Sequence, residues 1–470
     1  MTLPGELIRV PAQAAALGAA FAAAGHELHL VGGTVRDALL GRQEPDDATA
    51  DLDFATDARP EQVLAIAGPL AQATWTTGIE FGTVGVQVRG RMCEITTYRA
   101  DRYDRVSRHP EVVYGDSLVE DLRRRDFTMN AMALSVTGDT AFTDPFGGLA
   151  DLARGILSTP GTPEESFADD PLRMLRAARF VSVLAVNVAD DVRAAIVAGA
   201  SDLGRISAER VQAELGKLLL GASPRAGLEL LVDTGMADVV LPELPQLRMA
   251  ADEHGQHKDV YAHTLQVLDQ AIGLEDEPDL VLRWAALLHD VGKPATRAFA
   301  PGGRVTFHHH EVVGARIARK RLKELRYSKQ IVDDVGQLVF LHLRFYGYRT
   351  GEWTDSAVRR YVVDAGPLLP RLHKLVRSDC TTRNVRKAAA LSAAYDTLEQ
   401  RIAELSLQEE LAAVRPDLDG NEIMTLLGLA PGPLVGRAYK YLLGLRMEHG
   451  PLGHDRAVSE LRAWYAEQSG

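Results

Sequence analysis

Leu30-Val31-Gly32-Gly33-Thr34-Val35-Arg36-Asp37 is followed a short distance on by Asp51-Leu52-Asp53, and the reading of this pair decides the fold. On a strand, side chains alternate between faces, so the carboxylates of Asp51 and Asp53 project together while Leu52 points into the core. Two carboxylates on one face make a hard, oxygen-only site suited to Mg²⁺ carrying a triphosphate. The glycine pair upstream gives a tight turn in which backbone N–H groups can approach phosphate oxygens. Together they point to phosphoryl or nucleotidyl transfer. An exposed acidic strand or turn shows the same Asp-x-Asp, so the reading rests on what surrounds it.

The 470 residues allow three or four domains. Hydrophobic content of 46% and charged content of 25% are those of a soluble globular protein. No apolar run approaches the roughly 20 residues that span a bilayer, so no membrane association is expected. The Ala-rich stretch 12–24 lacks a basic segment before it and runs into Gly25-His26-Glu27 and a strand, so it reads as an N-terminal helix packed on the first domain. Cys93 and Cys380 lie far apart, which suggests no disulfide framework and fits a reducing cytoplasm. The net charge of −12 does not advertise a nucleic-acid binder. Local basic patches permit one: Arg123-Arg124-Arg125, Arg316–Arg326 with six Lys/Arg against one Glu, and Arg371–Lys387.

Up to about Asp151 the chain mixes strand-like runs with short helices. His29–Val31 and Leu52–Ala55 read as strands, and Thr83–Val88 and Cys93–Tyr98 flank Arg89-Gly90-Arg91 as a hairpin. The polar stretch Asp101–Asp116 has no apolar period and reads as a mobile loop. Ser158–Ser166 reads as a linker. Beyond it the periodicity is helical, as in Pro171–Val183, Ala208–Leu220 and Val281–Leu288.

Within the hairpin strand, Glu94 alternates with Ile95. If that strand lies beside Asp51–Asp53, Glu94 is a third carboxylate that binds metal or accepts a proton from an attacking hydroxyl; otherwise it is an exposed strand glutamate. In Asp121-Leu122-Arg123-Arg124-Arg125-Asp126-Phe127-Thr128-Met129-Asn130-Ala131-Met132, the polar Arg125, Asp126 and Asn130 interrupt an apolar run. Arg offers a planar fork matched to phosphate oxygens. In Asp169-Asp170-Pro171-Leu172-Arg173-Met174-Leu175-Arg176-Ala177-Ala178-Arg179-Phe180, Asp170 before Pro171 is a sound helix cap. A second reading is chemical. Cytosine and adenine each place an amino donor beside a ring-nitrogen acceptor, so a carboxylate with an Arg one turn away favours C and A over G and U. Asp170 and Arg173 supply that pair, and Arg173, Arg176 and Arg179 form a basic stripe.

Gly-Gly-x-Val-Arg-Asp, Asp-x-Asp, Arg-Arg-Asp-Phe-Thr-x-Asn-Ala-Met, Asp144-Pro145-Phe146-Gly147-Gly148-x-x-Asp151-Leu152 and Asp170-x-x-Arg173-x-x-Arg176-x-x-Arg179-Phe180 stand in the order seen in the bacterial class II CCA-adding tRNA nucleotidyltransferase and poly(A) polymerase family, which this chain resembles over about half its length. Arg205-Ile206-Ser207-Ala208-Glu209-Arg210-x-x-x-Glu214 resembles the helix motif that follows. The resemblance implies an α+β multidomain chain, with a polymerase-β-like head of mixed sheet and helices followed by an all-helical neck, body and tail. It implies addition of C, C and A from CTP and ATP to the tRNA 3′ end without a nucleic-acid template. By the family's pattern Gly33, Arg36, Arg125, Asp170, Arg173, Arg176 and Arg179 bind nucleotide, and Asp51 and Asp53 bind Mg²⁺. One departure is visible: Asp169 stands where the family usually has Glu. Enzymes of the family that add only CC tend to lack part of the loop that here reads Asp101–Pro110. Its presence favours full CCA addition over an A-adding or CC-adding partner enzyme or a poly(A) polymerase.

His263, His289-Asp290 and Asp379 fall in helical segments and together resemble an HD phosphohydrolase domain, in which two His and two Asp gather round a divalent metal. Leu287-Leu288-His289-Asp290-Val291-Gly292-Lys293 matches its central motif, and His308-His309-His310 and His342 are further candidate ligands. Imidazole with carboxylate suits transition metals as well as Mg²⁺. The expected division is a head over 1–157, a helical neck that selects nucleotide and binds RNA over 158–250, an HD domain over 251–400 and a helical tail over 401–470. A chain that is chiefly an HD-type phosphohydrolase is the rival reading.

Overall fold

The computed structural model describes residues 8–42, 51–100, 113–249, 259–301, 305–347, 354–382, 384–409 and 414–468. The chain divides into two compact units, residues 1–240 and 241–470. Most of the loop read at Asp101–Asp116 lies outside the described residues.

The first unit is built on a seven-stranded sheet. Its strands are β1 (Leu28–Val31), β2 (Leu52–Thr56), β3 (Ala73–Trp75), β4 (Thr83–Val88), β5 (Arg91–Thr97), β8 (Ala133–Ser135) and β9 (Phe142–Thr143). The short strands β6 (Arg99–Ala100) and β7 (Val113–Tyr114) pair separately. The order is β3-β4-β5-β2-β1-β8-β9. Strand β1 lies between two neighbours and is buried at every position, with Leu28, Leu30 and Val31 apolar and the buried His29 ring next to the Tyr98 hydroxyl. The β4–β5 hairpin turns at Arg89 and Gly90, both with positive φ, the requirement of the two-residue turn that matches strand twist. Strand β5 then lies parallel to β2, with Leu52 opposite Cys93 and Asp53 opposite Glu94. The Ala-rich N-terminal segment forms a helix over Ala12–Ala23 that buries Leu17 and Phe21.

Beyond the sheet the described residues are almost wholly helical, with two short strand pairs: Asn187–Val188 pairs with Ile156–Leu157, and Ala298–Phe299 with Val305–Thr306. The linker read at Ser158–Ser166 is corrected in its second half, where Pro163–Asp169 is a helix. Pro163 occupies the first turn, where no N–H is needed, and Glu164 and Glu165 complement the helix dipole there. The second unit is centred on the Leu280–Leu288 helix, whose residues from Leu282 to Leu288 are all buried. Asp279 caps it by accepting from the N–H groups of Val281 and Leu282. A C-terminal helical cluster packs Leu418, Ile423, Ala438, Leu442, Ala457 and Leu461. Among the described residues no helix is long and apolar enough to cross a membrane.

Candidate functional site

Strand alternation and the parallel register bring the head's carboxylates to one face. Asp51 precedes β2 and is exposed, Asp53 is half-buried on it, and Glu94 stands exposed opposite Asp53 on β5. Burial raises the Asp53 carboxyl above its usual range; Arg125 opposes this, while Glu94 and Asp51 push it further up. Mutually repelling oxygens of this kind are what a divalent cation relieves, so the donor set fits a hard metal ion.

Gly32 is the glycine of the pair whose backbone conformation requires glycine. Its φ of 69° and ψ of −135° suit only glycine. A Cβ there would stand 3.1 Å from Arg125 Nη1 and 3.6 Å from Asp53 Oδ2. The turn therefore passes directly under the carboxylate and the guanidinium. Arg125 Nη2 donates to Asp121 Oδ2 at 3.4 Å. Gly33 opens the Gly33–Leu39 helix.

Beneath these groups runs a chain of buried polar contacts. Arg36, 8% exposed, donates from Nε and Nη2 to Asp37 and from Nη1 to Asn130 Oδ1 at 2.7 Å. Asn130 donates to Asp126 Oδ1 at 2.9 Å, and Arg176 Nε donates to Asp126 Oδ2 at 2.7 Å. Arg179 pairs with Glu214 at 3.2 Å and lies over the Phe180 ring. Burial would raise the Asp126 carboxyl, but Arg176 and the hydrogen bonds from Asn130, Arg176 and the Phe127 N–H hold it below its usual range. The basic stripe of Arg173, Arg176 and Arg179 is thus half-buried to buried and tied into ion pairs and hydrogen bonds.

Asp170 is the helix cap read for it, and its second carboxylate oxygen has a partner of its own. Its Oδ1 accepts from the Leu172 N–H at 3.1 Å, the cap, while Oδ2 faces Arg210, whose Nη2 donates at 2.6 Å. Arg173 is fixed by donating to Ser166 Oγ at 2.8 Å and to the Arg124 carbonyl at 2.6 Å. Arg210 lies in a quoted motif, but nothing in its spacing shows that it reaches Asp170.

In the second unit His263 of the Val260–Ile272 helix comes together with His289 and Asp290 from the turn after the Leu280–Leu288 helix and Asp379 from the turn after the Leu369–Ser378 helix. His263 Nε2 is 3.3 Å from His289 Nε2, 3.1 Å from Asp379 Oδ1 and 3.5 Å from Asp290 Oδ2. His289 and Asp290 are 0% and 1% exposed. Burial pushes His289 down, but Asp290 and Asp379 more than offset it, so a cation at its Nε2, proton or metal ion, is what the setting favours. Two ligand groups stand side by side: His263, His289 and Asp379, then Asp290, His310 and His342. Of the His308–His310 run only His310 turns inward, and His308 and His309 are exposed. Burial pushes His342 down to about 4.

Three sequence families match in succession: the poly A polymerase head domain over residues 28–158, the probable RNA and SrmB-binding site of polymerase A over 186–247, and the HD domain over 260–389. The chain is 35% identical over 446 residues to the A-adding tRNA nucleotidyltransferase of Deinococcus radiodurans, covering 93% of this chain and 94% of that protein. It is 31% identical over 414 residues to the CCA-adding enzyme of Anoxybacillus flavithermus, covering 87% and 86%. The crystal structure of the Bacillus stearothermophilus CCA-adding enzyme in complex with CTP matches at a TM-score of 0.69 and 28% identity, covering 100% of this chain and 99% of that one. The Thermotoga maritima CCA-adding enzyme complexed with tRNA shares the fold, at a TM-score of 0.59, 16% identity and coverage of 96% and 94%. The chain therefore belongs to the tRNA nucleotidyltransferase and poly(A) polymerase family, as a nucleotidyltransferase that carries an HD domain.

Proposed function

We propose that this enzyme adds C, C and A from CTP and ATP to the 3′ end of tRNA without a nucleic-acid template. The observation that carries the reading is the parallel β2–β5 register, which sets Asp53 against Glu94 beside the Gly32 turn and Arg125. The likeness to CCA-adding enzymes over most of the chain supports the substrate.

Asp51 and Asp53 would hold Mg²⁺, which when bound supplies Lewis-acid stabilisation of the phosphate charge. The 3′-oxygen of the tRNA bonds to the α-phosphorus, the bond from that phosphorus to the bridging oxygen breaks, and pyrophosphate leaves with the electron pair. Glu94, exposed on the same face, accepts the hydroxyl proton. Arg125 grips the triphosphate across the Gly32–Gly33 turn. Asp170 Oδ2 and Arg173 read the base, Arg36 and Arg176 keep that helix in register with the head through Asn130 and Asp126, and Arg179 ties it to the Ala208–Leu219 helix through Glu214. The division into a head (1–157), neck (158–250), HD domain (251–400) and tail (401–470) follows from this reading. His263, His289, Asp290 and Asp379 form a divalent-metal centre. The free cysteines, Cys93 buried and Cys380 half-buried, fit a cytoplasmic enzyme.

The full-length likeness to an A-adding enzyme favours one second reading, addition of the terminal A alone. Purified protein given tRNAs ending before the first C, before the second C and before A, with CTP and ATP supplied separately, decides between them. CCA addition gives incorporation at all three steps. Incorporation only from ATP onto the tRNA ending in CC establishes the A-adding reading. Normal extension by the Asp51→Ala/Asp53→Ala protein overturns both.

A further inference from the structure

The carboxylates of the head belong to a longer cross-strand row. Asp53 on β2 stands opposite Glu94 on β5, Glu94 opposite Gly85 on β4, and Gly85 opposite Trp75 on the edge strand β3. Residues in register across a sheet share a face, and neighbouring strands lie about 5 Å apart. The Gly32 turn and Arg125 flank the row at Asp53, and Trp75 closes it at the far end.

Trp75 is 39% exposed, a large ring left in contact with solvent on a three-residue strand. Its Cβ and Cε3 each stand 3.5 Å from where a Cβ on Gly85 would be, so the ring leans over the glycine and toward the carboxylates. Covering a strand glycine is a structural task, and it accounts for the contact but not for the exposed face. Gly85 leaves an open floor between that ring and Glu94, one strand wide.

A cation stands beside this floor. Thr83 and Thr96 form the same-face pair two residues along from Gly85 and Glu94, about 7 Å away. Arg99 Nη2 donates to Thr83 Oγ1 at 3.3 Å, and Thr83 Oγ1 lies 3.0 Å from Thr96 Oγ1. Asp121 accepts from the Arg99 backbone N–H at 3.4 Å and gives its other oxygen to Arg125. Among the described residues no carboxylate forms an ion pair with the half-buried Arg99 guanidinium. Burial, together with Arg124 and Arg125, disfavours its charge against the pull of Asp121. An anion brought from outside relieves both.

We propose that this end of the row seats the 3′ end of the tRNA, with the terminal base stacked on Trp75, its ribose over Gly85 and its phosphate held by Arg99 beside Thr83. The proposal rests on the reading of Glu94 as the group that takes the hydroxyl proton, and adds to it the binding site of the attacking strand. Nucleotidyl transfer sets the attacking and leaving oxygens roughly in line through the α-phosphorus. With pyrophosphate leaving on the Gly32 and Arg125 side, the hydroxyl approaches from the Glu94 side, where Gly85 and Trp75 lie. An indole stacks on any base, which suits an acceptor whose last base changes with each addition.

The test pairs kinetics with a binding measurement that needs no turnover. Trp75→Leu should raise the KM for tRNA about tenfold, with the KM for the incoming nucleotide and the melting temperature unchanged, and Trp75→Phe should restore most of the loss. Arg99→Gln should raise the same KM, and Arg99→Lys should recover part of it. An unchanged KM for tRNA, with or without a lower melting temperature, overturns the proposal, as does an equal rise in the KM for the nucleotide. For binding, the Asp51→Ala/Asp53→Ala protein is irradiated with a tRNA whose last nucleotide is 5-iodocytidine, which couples to a stacked ring, and the adduct is located by mass spectrometry of the digest. An adduct at Trp75 is expected; adducts only elsewhere, or none, overturn the stacking. A parent protein that crosslinks at Trp75 yet extends no tRNA keeps the seat and overturns the reaction reading instead.

Discussion

Asp53 pays for its position when no cation is near, since burial and its acidic neighbours hold its carboxyl above the usual range. The folded form therefore favours protonated Asp53, and this penalty grows as pH rises through the raised pKa. Asp53→Asn should lower nucleotide incorporation by about 10³-fold, the scale of several kcal/mol of charge stabilisation, while the melting temperature in EDTA is unchanged or higher. A lower melting temperature would show that the side chain serves folding instead. Gly32→Ala should cost about 1–3 kcal/mol of stability, since its backbone conformation is one only glycine adopts readily, and should raise the KM for CTP by displacing Arg125. Arg210→Ala leaves Asp170 Oδ2 without its partner, so misincorporation of UMP and GMP should rise in a single-turnover assay; unchanged selectivity would exclude Arg210 from base choice. At this scale Asp51, Asp53 and Glu94 were legible because a period of two is a strong local rule. The carboxylates that Arg176 and Arg179 meet were not, because arginines three residues apart look the same whichever groups they face.

A buried carboxylate, Asp126, helps join the Arg-Arg-Asp segment to the Leu172–Leu184 helix, beside the Arg173 bond to the Arg124 carbonyl. Asp126 ionises below its usual range when folded, so the stability it supplies is full above its unfolded pKa and is lost as pH falls through the lower, folded one. Asp126→Asn should therefore flatten the acid limb of a stability–pH curve followed by urea denaturation. At neutral pH it should cost about 3 kcal/mol, toward the lower end for a broken buried pair because the Arg176 side chain is 32% exposed. An acid limb as steep as the parent's would remove Asp126 from that role. Element reading from sequence worked where the apolar period was long, as in Ala208–Leu219. It failed at Pro163–Asp169, where a run rich in Pro, Gly and Thr just before the helix masked a short helix set by Pro163 and two glutamates.

Over the whole molecule, chemistry is divided between two units, 1–240 and 241–470, each with its own core. Differential scanning calorimetry should resolve more than one transition. Co²⁺ at 100 times its Kd should raise the transition of the second unit by about 2.7 kcal/mol of linkage while leaving that of the first in place in the Asp51→Ala/Asp53→Ala protein. A uniform shift of all transitions would mean that the units unfold as one. The order of motifs along the chain disclosed both centres, because each motif is local. The depth of the HD centre was not legible, since His263 and His310 lie on separate helices and His289, His342 and Asp379 in the turns after three others, whose packing no spacing records.

The pairing of Asp53 with Glu94 across parallel strands also acts as a reading frame. A residue inserted or deleted between Arg91 and Glu94 turns every following side chain of β5 over, so that Ile95 would stand among the carboxylates and Glu94 would enter the core. Length changes there cannot be absorbed gradually: an odd change inverts the site, whereas an even one restores its facing and merely shifts it along the strand. Evolution and engineering alike can thus vary the β4–β5 turn at Arg89-Gly90, but within β5 can proceed only in steps of two.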